Sequence, residues 1–145
     1  MSAEQLSEAA LTVFRLNGQF LDVAEELARP SGLTAAWWQV LGAVLHEPLP
    51  VAGIARVMGM TRQGVQRIAD LLVEKGLAEY RPNPAHRRAK LLQPTLEGRA
   101  AISKIVPGHA AFAAKLASSL GGELPEILVA LRKLSAAMDG LAADL

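Results

Sequence analysis

Two clusters of nitrogen-bearing side chains stand out in the 145 residues: Arg62, Gln63, Gln66 and Arg67, and then His86, Arg87 and Arg88 with Lys90 close behind. A guanidinium is a rigid fork of donors, and a carboxamide sets donors and an acceptor side by side. Groups of this kind pair bidentately with guanine and adenine edges, and the cationic ones also meet phosphate. Catalytic chemistry has no comparable footing. No nucleophile has a nearby base, no carboxylates are paired, and no glycine-rich loop could cradle a phosphate, so no enzyme is expected. His46, His86 and His109 are too scattered for a ligand set, so neither a metal nor a cofactor is expected.

The charge distribution sharpens this reading. The chain carries a formal net charge of only +1, yet residues 51–99 hold nine Lys and Arg against four acids, leaving the rest at −4. Charge gathered on one segment can hold a polyanion while the remainder avoids sticking. Cysteine is absent, which excludes disulfides, thiol-oxidation sensing and sulfur-ligated metals. The start, MSAEQLSEAALTVFRL, is acidic and amphipathic rather than an export signal, and no run of 18 apolar residues occurs. A cytoplasmic protein without membrane contact is expected. Its length suits one domain that buries about two thirds of its unfolded surface.

The elements that must position the two clusters follow from periodicity. Leu6, Ala10, Val13, Asn17, Phe20, Ala24 and Leu27 form a 4,3 seam over residues 4–28, and Leu16, Leu21 and Val23 widen it. Asn17 either sets the register of a partner helix or turns to water. Thr34 is placed to cap a second helix to about Leu45, which Glu47–Pro50 ends. A short helix, VAGIARVM, turns at Gly59 and Met60 into TRQGVQRIADLLVEKG, capped by Thr61 and closed by Gly76. In that helix Val65, Ile68, Ala69 and Leu72 share one arc, and Arg62, Gln63, Gln66, Arg67 and Asp70 share the opposite one. LAEYR and KLLQ then read as a hairpin with a basic tip at residues 82–89. Thr95 caps a helix to about Leu120 that Pro107 must either kink or split. A last helix, opened by Pro125, repeats Ile127, Leu131, Leu134, Met138, Leu141 and Leu145 at 4,3 spacing. The expected fold is therefore mainly α with a small β-hairpin wing, a winged helix-turn-helix plus a layer of terminal helices fit for dimerisation.

These residues resemble the MarR family of winged-helix transcription regulators over nearly the whole chain. HRRAKLLQPTLEG is similar to that family's wing signature, with Arg88, Leu92, Thr95 and Gly98 in register. LTAAWWQVL, MTRQGVQR and LVEKGLAEYR resemble its second helix, recognition helix and first wing strand. The resemblance implies a single domain, residues 1–145, in which 33–99 bind DNA and 4–28 with 100–145 dimerise. It implies a sequence-specific repressor acting as a homodimer on a pseudo-palindromic operator, released by a small aromatic or anionic effector. Thr61, Arg62, Gln63, Gln66, Arg67, His86, Arg87 and Arg88 would contact double-stranded DNA, and Trp38 would line the effector pocket. Two departures stand out. Pro94 replaces the usual Leu, and His86 replaces an acid that usually orients the wing arginine, so Arg88 is either less fixed or held by another carboxylate. A protonated His86 would add attraction to phosphate, and wing binding would then weaken as pH rises through the histidine range. The competing accounts are a winged-helix module for protein contacts and a small-ligand-binding protein without specific DNA binding. The first would not need base-reading side chains on an exposed helix face or arginines at the wing, and the second predicts tight ligand binding with no salt-dependent DNA affinity.

Overall fold

The structure, a computed structural model, describes residues 2–145. The chain divides into two compact units, residues 1–106 and 107–145. The first begins with the 27-residue α1 (Ser2–Ala28), whose last turn brings buried Ala28 and half-buried Leu27 onto the core. A single tight turn, Arg29–Ser31, ends on Gly32 at φ 75°, the left-handed conformation glycine adopts without steric cost. α2 (Ala35–Ala43) then starts under Thr34, whose Oγ1 accepts from Trp37 N at 3.1 Å. Glu25 on α1 also accepts from Ala35 N at 3.0 Å, so two of the orphan donors that open α2 are satisfied. Trp37 and Trp38 are both half-buried and pack against the core.

The helix-turn-helix follows. α3 (Val51–Met58) ends on Gly59, and α4 (Arg62–Glu74) starts under Thr61, whose Oγ1 accepts from Gly64 N at 3.0 Å. At the far end of α4, Gly76 N donates to Val73 O and Leu77 N to Leu72 O, the paired reverse bonds of a Schellman close. The expected arc of Val65, Ile68, Ala69 and Leu72 is buried, with Val65, Ala69 and Leu72 fully so. They meet Val40 and Leu41 of α2 and Ile54 of α3 in one core. Full burial of each Leu or Ile here removes enough apolar surface to contribute about 1.5–3 kcal/mol.

The wing is a three-stranded antiparallel sheet in the order β1–β3–β2. β2 (Ala78–Arg81) and β3 (Leu91–Pro94) form the expected hairpin, with Tyr80 opposite Leu92 and Glu79 opposite Gln93. The third strand, β1 (Leu49–Pro50), is not apparent from the sequence, where these residues read only as the end of a helix. It pairs Leu49 with Leu92 and Pro50 with Leu91, so fully buried Leu92 is flanked on both sides. Pro94 ends β3, a position where its missing N–H costs no ladder bond.

The Thr95-to-Gly98 spacing has a steric cause. Thr95 Oγ1 accepts from Gly98 N at 3.1 Å, capping α5 (Leu96–Ser103), and donates to Gly76 O at 2.6 Å. Gly98 lies so close to Leu77 that a Cβ there would strike its carbonyl oxygen. Pro107 splits rather than kinks the chain that follows. α5 stops at Ser103 and α6 (Val106–Ser119) begins afresh with Pro107 in its first turn, where no amide donor is needed. In the second unit, Gly121 and Gly122 separate α6 from α7 (Leu124–Leu141), with Pro125 in the opening turn as expected.

Candidate nucleic-acid interface

The exposed arc of α4 carries Arg62, Gln63, Gln66, Arg67 and Asp70, the reverse of its packed arc. A cleft of about 580 Å³ separates this face from the wing, and Arg62, Gln63, Gln66, Tyr80, Arg88 and Lys90 line it. The fold thus joins the first basic cluster to the second across one concave surface. Arg67 lies beside it, in an adjoining cleft of about 460 Å³ shared with Gln63, Gln66 and Asp70. Arg87 lines a separate cleft with Tyr80, Arg81 and Lys90. Trp38 belongs elsewhere, half-buried on α2.

The electrostatics favour an outside partner. Arg29 pairs with Glu26, but none of Arg62, Arg67, Arg87, Arg88 and Lys90 forms an ion pair among the described residues, so these five keep their charge unneutralised. This decides between the two alternatives for Arg88: no other carboxylate replaces the acid missing from the wing. His86 is engaged within the loop instead, its Nδ1 accepting from Ala89 N at 3.2 Å. Thr61 Oγ1 accepts from Gly64 N on the α4 cap, and its hydroxyl proton meets no acceptor among the described residues. On the outer face of the wing, Gln93 accepts from Arg81 at 3.2 Å and donates to Glu79 at 2.6 Å, stiffening the strands behind the tip.

One assembly in this surface has no counterpart in the sequence reading. Tyr80 on β2 donates to Asp70 Oδ1 at 2.6 Å, and Gln66 Nε2 lies 3.0 Å from both Asp70 Oδ1 and the Tyr80 hydroxyl oxygen. Burial, then the bond and charge of Asp70, push the Tyr80 phenol up to about 12. The phenol therefore stays a donor across the physiological range. Because the folded value lies above the ordinary 10.0, its stabilising contribution is complete below pH 10 and is lost as pH rises through about 12. Gln66 and Asp70 are one helical turn apart, a visible i,i+4 pair. Tyr80 arrives from 14 residues away, and only the hairpin geometry brings it in.

Known proteins bear on this geometry. A model of the MarR family matches residues 31–89, from the turn before α2 to the wing tip. An uncharacterized protein of Mycobacterium tuberculosis is 42% identical over 103 residues, covering 71% of this chain and 72% of its own. The chain belongs to the MarR family of transcription regulators. As a member it is a DNA-binding regulator and not an enzyme. A crystallised MarR family transcription regulator is 28% identical with a TM-score of 0.68, over 99% of this chain and 94% of that one. The M. tuberculosis regulator MosR, solved in complex with DNA, is 26% identical with a TM-score of 0.76, over 91% of this chain and 96% of its own. The MarR winged helix is thus the frame that carries the cleft. Among the described residues no helix is long and apolar enough to cross a membrane, and no group of His, Cys, Asp and Glu could hold a metal ion.

Proposed function

We propose that this MarR protein is a sequence-specific repressor that binds a pseudo-palindromic operator as a homodimer. The observation that carries the reading is the continuous, unpaired cationic surface from Arg62 on α4 across the cleft to Arg88 and Lys90 on the wing. α4 enters a major groove, where Arg62, Gln63, Gln66 and Arg67 reach base edges or fix register. Thr61 holds phosphate, while His86, Arg87 and Arg88 follow the backbone or a narrow minor groove, whose potential favours arginine.

Dimerisation is inferred from the apolar residues that the protomer leaves uncovered. α1 exposes Leu6, Phe14 and Phe20, and α7 exposes Ile127, Leu131, Leu134, Met138 and Leu141. Surfaces of this size on isolated helices are covered in soluble proteins, and a second copy supplies matching seams. Pairing would set the two α4 helices one duplex turn apart, about 34 Å. A small aromatic or anionic effector, with Trp38 at its site, would release DNA by binding one half-site spacing better than another.

A gel shift with the DNA upstream of the protein's own reading frame, at two salt concentrations, tests the reading. Specific binding that weakens steeply with salt supports it. Binding to no DNA at either salt overturns it in favour of a protein-contact module or a ligand-binding protein.

A further inference from the structure

The three bonds among Gln66, Asp70 and Tyr80 determine which end of the Gln66 amide meets the outside. An ionised carboxylate only accepts, so Asp70 admits the amide nitrogen and repels the amide oxygen. Tyr80 gives its single proton to Asp70 and so offers Gln66 a lone pair. Both neighbours therefore demand Nε2, and only one of the two amide orientations satisfies them. Oε1, fixed by the planar amide, points away from the pair and takes no hydrogen bond from any described residue. A glutamine free to flip can present a donor to guanine or thymine as readily as an acceptor to adenine or cytosine. Gln66 is not free.

We infer that Asp70 and Tyr80 are positioning residues for base readout: they lock Gln66 so that its Oε1 accepts from a base amino group, adenine N6 or cytosine N4, and refuses guanine O6 and thymine O4. The inference rests on the reading that α4 enters a major groove. It assigns the wing a second task. Besides carrying cations toward the backbone, β2 supplies the hydroxyl that orients a side chain on the recognition helix.

The test is selection of binding sites from a random duplex pool by the full-length protein, followed by affinities on single-base-pair variants of the selected site. Gln66→Ala identifies the base pair that Gln66 reads. At that pair the wild type should favour the natural amino-bearing base over an analogue lacking the exocyclic amino group, purine for adenine or pyrimidin-2-one for cytosine, by about fivefold to a hundredfold, the discrimination of one well-made base contact. Tyr80→Phe and Asp70→Asn should each shrink this preference to under about threefold, with other positions unchanged and, for the uncharged Tyr80→Phe, the salt slope unchanged. A merely structural role for Tyr80 would weaken binding at every position alike. Wild-type indifference to loss of that amino group, no position altered by Gln66→Ala, or a full preference in both lock variants overturns the inference while leaving DNA binding intact. A wild-type protein that selects no sequence overturns both the inference and the function it rests on.

Discussion

α4 and α7 follow the same 4,3 apolar rhythm and meet opposite fates. α4 sinks Val65, Ala69 and Leu72 to complete burial beneath α2 and α3. α7 leaves Ile127 and Leu131 at 38%, Leu134 at 41% and Met138 at 59% exposure. Helical periodicity states that a face must be covered and is silent about which chain covers it. The winged helix satisfies its pattern within the chain, whereas the pattern of α7 is left open there.

The contrast can be broken most sharply at Leu134. If a second copy covers α7, Leu134→Asp should convert dimer to monomer in sedimentation equilibrium. Operator affinity should fall by about 10²- to 10⁴-fold, the avidity that two linked half-sites provide. A variant that sediments and binds like wild type would remove α7 from the interface. Leu72→Ala is the matching change on the covered side. It should cost about 2–5 kcal/mol in chemical unfolding, through reduced burial and the cavity left behind. Its cost should be independent of protein concentration, whereas that of Leu134→Asp should vary with concentration.

Smaller effects sharpen the comparison inside the winged helix. Gly98→Ala should destabilise by about 1–3 kcal/mol, because the added methyl meets the Leu77 carbonyl rather than a flexible side chain. A melting temperature within a degree of wild type would show that the root of the wing yields. Arg88→Ala should leave folding untouched, since Arg88 is exposed and forms no ion pair among the described residues. It should weaken binding to all sequences alike and lower the salt slope by about 1 for each phosphate it no longer neutralises. An unchanged slope would take Arg88 off the phosphates.

What the sequence disclosed follows the reach of each interaction. Thr34, Thr61 and Thr95 were legible as caps because each closes on an amide three residues ahead. Gly76 was legible as a stop for the same local reason. β1 was not, since Leu49 and Pro50 gain strand character only from Leu91 and Leu92, some forty residues later. The break at Pro107 was visible, but its form depended on whether a new first turn could start there. In the candidate surface the sequence showed which residues look outward and hid the interplay among them. Asp70 read as one more solvated residue until Tyr80 was folded against it.

Because β1 runs directly into α3 while also pairing with β3, the hairpin and the reading helices are welded at their base. Tilting the wing against the helix-turn-helix would have to break the β1–β3 pairing. In the proposed dimer each winged helix would arrive at or leave its duplex as one stiff head, and a signal would act on the span between the two heads.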